Sequence, residues 1–247
     1  EIVTIVDGQI YSDWIYHAPV KSRCIFEYIY FARTDSIIDG QSVYSSRVRA
    51  GSILAEKYPV DADLVIGVPE SGLAAAVGYS QGSNIPYGMA FYKNSYVGRT
   101  FIKPKQNERT AGVQAKLNVI RDVVKGKRVV MVDDSIVRGT TIRNIVKMLK
   151  DAGALEVHVR ISSPPFKHPC YYGTDVPSSE NLVAVNNTID EIKESINADS
   201  LGFLDIEDLG QLCPGLDYCD ACFTGKYAGG IPSDPSKTNS CSSKIVL

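Results

Sequence analysis

The 247-residue chain has no apolar run approaching the roughly 20 residues that span a bilayer. Its start, EIVTIVDGQIYSDWIY, has no basic stretch leading into an apolar core. Neither a membrane span nor a secretory leader is therefore expected. An excess of one charge is lacking too: 26 Lys and Arg face 28 Asp and Glu, for a formal net charge of -2. Nucleic acid is not an expected partner, because binding it calls for a strongly basic face. Histidine is scarce, and His17, His158 and His168 have no metal-ligand spacing. No Ser-His-Asp or Cys-His grouping for covalent catalysis is found. There is no internal repeat and no second large core. There is also no initiator Met, so the chain is expected to begin inside a longer protein.

What is there is an alternation of buried strands and helices. Leu64–Pro69 is a continuous apolar strand, followed by Glu70-Ser71-Gly72 and an Ala-rich helical stretch. Arg128–Val132 is a second such strand, running into Asp133-Asp134-Ser135-Ile136-Val137-Arg138-Gly139-Thr140-Thr141. The helix after it carries Ile142, Ile145, Val146 and Leu149 at helical spacing and closes at Asp151-Ala152-Gly153. Val157–Ile161 is a third strand, and Ser45–Tyr58 an upstream helix. Strands alternating with helices predict an α/β fold, a mainly parallel sheet flanked by helices. Residues 93–112 are a long Gly-, Lys- and Arg-rich loop, of a length that is usually functional or disordered. Residues 1–228 form the expected domain, and 229–247 a polar tail, expected to be flexible.

The loop after the second strand is the most informative segment. Ligands of open α/β sheets sit at the carboxyl ends of strands. The amides of Ser135–Thr141, the Thr140 and Thr141 hydroxyls and the following helix N-terminus suit a phosphate. Asp133 and Asp134 would repel a bare phosphate. They make sense as acceptors for sugar hydroxyls, directly or through hydrated magnesium. A lone aspartate pair is more often a strand-end cap, but nine residues in this order are much more specific.

The string from Val129 to Thr141 resembles the signature with which type I phosphoribosyltransferases bind 5-phosphoribosyl 1-pyrophosphate (PRPP). Cys24–Arg33 (CIFEYIYFAR), Val68–Gly72 (VPESG) and Lys93–Ile102 (KNSYVGRTFI) narrow the resemblance to the amidophosphoribosyltransferases. It runs from about Cys24 to Tyr227. It implies the type I phosphoribosyltransferase fold and displacement of pyrophosphate from ribose C1 by ammonia, opening purine synthesis in the cytoplasm. It further implies that Glu70, Ser71 and Gly72 form the pyrophosphate loop, and that magnesium is met by Ser71, Asp133 and Asp134. Lys93, Tyr96 and Arg99, with Lys103, would lie on a loop that closes over PRPP and excludes water. Ser95 stands where the family usually has Arg, which leaves one cation fewer. Arg33 and Asp35 are expected near the route by which ammonia arrives, with Thr34 where Pro is usual.

There are six cysteines. Cys219-Asp220-Ala221-Cys222 alone could be redox-active, half of a zinc site, or neither. The resemblance groups Cys219 and Cys222 with Cys24 and Cys170 around a [4Fe-4S] cluster that ties down a small C-terminal segment; four thiolates suit zinc as well. Cys213 and Cys241 are left unligated. The resemblance also implies purine nucleotides as feedback inhibitors, a homo-oligomer, and an N-terminal glutaminase domain not found in this chain. The chain alone is thus expected to use only ammonia. A nucleobase phosphoribosyltransferase would share the PRPP loop but not the four cysteines, and a PRPP-sensing module would bind without turnover.

Overall fold

The computed structural model describes residues 2–14, 21–93, 117–174, 176 and 178–231. Its centre is a sheet of four parallel strands: β1 Leu64–Gly67, β2 Arg128–Asp133, β3 Glu156–Ile161 and β4 Ser200–Phe203, in the order β4-β3-β2-β1. Every residue of β1 is buried, as expected of a parallel strand covered on both sides. Alternate residues face opposite layers. Val65, Val130 and Val132 pack with the helices α1 (Val43–Lys57) and α2 (Gly72–Ser83). Ile66, Val129, Met131, Val157 and Val159 pack with α3 (Thr140–Asp151) and α4 (Ile189–Ile196). The apolar stripe read from the sequence of α3 is its buried face: Ile142, Ile145, Val146 and Leu149. Helix α4 starts in a capping box in which Thr188 and Glu191 satisfy each other's amides.

After β1 the chain passes through α2 and returns beside β1 at the bridge Val65–Tyr87, on the edge away from β2. It then crosses to β2. The chain therefore leaves β1 on one side and resumes on the other, and a crevice opens between the carboxyl ends of β1 and β2. Lys93 ends the strand Phe91–Lys93, which pairs antiparallel with Leu117–Val119. Among the described residues three further small pairings lie outside the central sheet, one of them the antiparallel pair Ile37–Ile38 and Gln41–Ser42. Ile2–Val6 and Gln9–Asp13 form an antiparallel hairpin through Asp7-Gly8. Arg23–Cys24 lies parallel to Tyr218–Cys219 and joins the early and late parts of the chain.

Candidate functional site

Asp133 is the last residue of β2, and the path of β3 fixes it: Ser162 N donates to its carbonyl at 2.9 Å. Asp133 and Asp134 are both buried. The amide of Asp134 donates to Asp133 Oδ1 at 2.9 Å. Ser71 Oγ donates to Asp134 Oδ1 at 2.5 Å, and the hydroxyl of Ser135 donates to the other oxygen. Burial first, and then the Asp134 carboxylate beside it, hold the Asp133 carboxyl well above the usual carboxylate range. Two adjacent buried carboxyls with hydroxyls turned toward them are a setting that favours a cation or sugar hydroxyls. Ser71 does not cap α2; its hydroxyl is committed to Asp134, so the loops after β1 and β2 are joined by a side-chain bond.

The loop from Ser135 to Thr141 is anchored by Ile136, which is buried in the core, and by the Val137 carbonyl, which accepts from Val183 N at 2.9 Å. Gly139 has φ of 77°, where a side chain would be strained, and α3 begins immediately after it. With no side-chain cap there, the first-turn amides of α3 keep their donors for something else. Arg138, Thr140 and Thr141 are exposed around a cavity of about 710 Å³.

A second cavity, of about 940 Å³, lies at the loop after β1 and is lined by Glu70, Ser71 and Lys93 among others. Lys93 Nζ donates to Glu70 Oε1 at 3.0 Å. A Cβ on Gly72 would lie 2.4 Å from the Val132 carbonyl, so glycine lets this loop close on β2. Tyr30 and Phe31 line both cavities and form their common wall. The structure thus brings together Glu70, Ser71, Gly72, Lys93 and Asp133–Thr141. Tyr96, Arg99 and Lys103 lie outside the described residues.

Arg47 went unread in the sequence, although it lines the second cavity and is almost fully buried. A signal was available. Val43, Arg47, Ala50 and Leu54 share one helical stripe, and an arginine there must satisfy its donors inside the protein.

Cys24, Cys170, Cys219 and Cys222 all line a third cavity, of about 1390 Å³. Cys24 and Cys219 are register partners in their short strand pair. Cys170 Sγ accepts from the amides of Tyr172 at 3.5 Å and Thr174 at 3.4 Å. Burial opposes ionisation of Cys170, but the amides of Gly173, Tyr172 and Thr174 outweigh it and bring its thiol below the usual value. Burial pushes the Cys24 thiol up to about 11, and the neighbouring Cys170 and Cys219 add to the shift. Cys222 is raised by burial and then by the other three cysteines. Among the described residues, no group of three or more His, Cys, Asp or Glu side chains is arranged to hold a single metal ion. Cys213 is buried in the core and does not line this cavity. Cys241 is outside the described residues.

The sequence profile of the phosphoribosyl transferase domain matches residues 44–171. The amidophosphoribosyltransferase of Synechocystis is 50% identical over 94% of this chain and 47% of its own length. That of Bacillus subtilis is 53% identical over 87% of this chain and 46% of its own. Among solved structures, an allosteric regulatory enzyme of purine biosynthesis superposes with a TM-score of 0.83 at 50% identity, over 94% of this chain and 51% of that one. The glutamine PRPP amidotransferase of B. subtilis, in complex with ADP and GMP, superposes with a TM-score of 0.82, again at 50% identity, over 94% of this chain and 52% of that one. The chain spans about half the length of the curated relatives it matches.

Proposed function

Because this chain belongs to the phosphoribosyl transferase domain family, we propose that it catalyses attack of ammonia on C1 of PRPP, with release of pyrophosphate and formation of 5-phosphoribosylamine. The observation that carries this reading is the Ser71–Asp134 bond, which joins the loops after β1 and β2 into one cleft. It stands in a chain about half identical, over nearly all its length, to amidophosphoribosyltransferases.

In this reading the amides of Ser135–Thr141 and the N-terminus of α3 hold the 5-phosphate, with Gly139 permitting the turn. Asp133 and Asp134 orient the ribose hydroxyls. Glu70, Ser71 and Gly72 face the pyrophosphate, and Lys93, Tyr96 and Arg99 offset the charge it gains as it leaves. No protein nucleophile is required; the chain positions PRPP and ammonia and excludes competing water. The buried carboxyl pair and the Ser71 hydroxyl suit magnesium, which, when bound, would neutralise charge on the leaving pyrophosphate. The four cysteines around one cavity, with amides turned toward Cys170, suit a [4Fe-4S] cluster of structural role. Zinc, with sulfurs about 2.3 Å from the metal, would need the four thiols drawn close together. Purine nucleotides share the ribose and 5-phosphate of PRPP, so we take them as competitors at Asp133–Thr141, the relative solved in complex with ADP and GMP supporting this. In a protein as long as the relatives, glutamine would supply the ammonia, and a homo-oligomer in the cytoplasm is the expected setting. Residues from 229 onward are assigned no part in the reaction.

The test is pyrophosphate release from PRPP with magnesium and ammonia, on anaerobically purified chain. Release that needs ammonia, is not supported by nucleobases, and collapses in Asp133→Asn and Asp134→Asn is the expected result. Release supported by a purine base instead would move the chain to the nucleobase enzymes. PRPP binding without any turnover would leave a sensing module.

A further inference from the structure

The wall shared by the two cavities is an irregular segment. Residues Glu27–Phe31 form a single π-turn that closes with Ala32 N donating to Glu27 O at 3.2 Å, and the chain then turns extended at Ala32. A turn this short leaves carbonyls without backbone partners. One side chain of α1 meets them. Arg47 Nε donates to Tyr28 O at 3.1 Å, Nη2 to Tyr30 O at 3.0 Å and Ala32 O at 2.8 Å, and Nη1 to Thr34 Oγ1 at 3.0 Å. The acceptors come from every second residue from Tyr28 to Thr34, so one planar fork spans the segment that carries Tyr30 and Phe31. None of these bonds goes to a carboxylate, although Arg47 is only 3% exposed. Burial lowers its pKa, and Asp134 and Glu27 are the charges that oppose the loss. A buried guanidinium spent wholly on main-chain carbonyls and one hydroxyl is a device for holding a shape.

We propose that Arg47 is a positioning residue for the substrate cleft, holding Tyr28–Thr34 so that Tyr30 and Phe31 stand between the phosphate-loop cavity and the cavity at Glu70–Ser71. The proposal rests on the reading of that cleft as the PRPP site. It deepens it by assigning the shared wall to a residue whose hydrogen bonds go to neither phosphate loop. Because Arg47 makes no bond to Ser71, Gly72 or the 133–141 loop, its loss is expected to spare PRPP binding and to slow the step that needs the wall in place.

The informative variant is Arg47→Lys, which keeps the charge but cannot reach four acceptors with a single ammonium. Arg49→Lys is its control: Arg49 lies on the same helix and donates to the carbonyls of Gln211 and Leu212, away from the cleft. With PRPP, magnesium and ammonia, Arg47→Lys should lower kcat at least tenfold and leave the PRPP dissociation constant within threefold of the parent. Arg49→Lys should change neither beyond threefold, and methylguanidinium should restore part of the rate to Arg47→Ala. A parental kcat in Arg47→Lys overturns the proposal, and so does a loss that falls equally on PRPP affinity and matches that of Arg49→Lys. If the Arg47 variants do not fold, Thr34→Val removes one acceptor of the fork and should show the same split in weaker form; a parental kcat there overturns the proposal. If the parent chain itself has no turnover, the ammonia reading fails, and amide exchange at Tyr28–Thr34 decides this one. Exchange accelerated tenfold or more in Arg47→Lys but not in Arg49→Lys supports it, and equal exchange overturns it.

Discussion

His158 lies in β3 on the face it shares with Glu156 and Arg160, and its ring is held at both nitrogens. Arg160 Nη1 donates to Ser200 Oγ at 2.9 Å, so that hydroxyl is free to donate to His158 Nδ1 at 3.0 Å. The proton then sits on Nε2, which is 2.9 Å from Glu156 Oε2. Burial lowers the pKa of His158, against the pull of Glu156, so the folded state prefers the neutral ring. The unfolded chain takes up a proton near the ordinary histidine value of about 6.5. Between that value and the lower folded one the unfolded state binds more protons, and stability falls as pH falls. His158→Gln can keep both contacts and does not titrate. Urea midpoints at about pH 7.5 and about pH 5.5 should therefore differ less in His158→Gln than in the parent. An equal difference would remove His158 as a source of acid sensitivity. The sequence marked this histidine only as lacking metal-ligand spacing, because its partners come from β4 and from two residues away on its own strand.

Helices α1 and α2 cross with almost no side chain between them. A Cβ on Gly51 would lie 1.8 Å from the Ala75 carbonyl, and one on Gly78 would lie 1.8 Å from the Val48 carbonyl. Each is a contact with backbone, which cannot rotate away. Gly51→Ala would improve helix propensity by about 1 kcal/mol, but overpacking at such a contact costs about 1–3 kcal/mol and occasionally more. The expected net result is a lower urea midpoint in Gly51→Ala; a higher one would mean that the crossing gives way easily. The existence of α1 and α2 was legible in the sequence, since each is carried by local pattern. Their contact was not, because Gly51 and Gly78 are adjacent only after folding. The same limit hid the Ser71–Asp134 bond and the Arg47 fork. By contrast the β2 strand, the Asp133–Thr141 loop and α3 are consecutive, and they were read nearly to the residue. The hairpin at Ile2–Asp13 is a different omission. Asp7 and Gly8 both have positive φ, the dihedral pair of a tight hairpin turn, and the Asp-Gly pair was an available signal.

At the scale of the molecule, the cysteine cavity joins the two ends of the described chain. Arg23–Cys24 pairs with Tyr218–Cys219, and Cys222 lies in the turn Ala221–Thr224 whose backbone carbonyl accepts from Lys167 and His168, just before Cys170. Phe223 adds a buried ring packed edge-on against Phe166, and Tyr227 OH donates to Pro169 O at 2.6 Å. A group ligated by Cys24, Cys170, Cys219 and Cys222 would bridge three stretches of chain at once, and binding that exists only in the folded state is folding free energy. Cys222→Ser is therefore expected to lose the bound metal and to melt lower. If the site contributes on the order of 3 kcal/mol, the melting temperature of a chain this size falls by roughly 6–12 °C. Cys213→Ser is the comparison that gives the result meaning. It places a hydroxyl in the core and should also lower stability, but Cys213 lies off the cavity, so its metal content should equal that of the parent. About four iron and four sulfide per chain in the parent and in Cys213→Ser, with neither in Cys222→Ser, would assign the cavity to a cluster. About one zinc per chain would assign it to a mononuclear site and require the four thiols to draw together. Parental metal content in Cys222→Ser would release this cavity from any ligating role, leaving the strand pair, the buried Phe223 and the Tyr227 contact to hold the C-terminal segment.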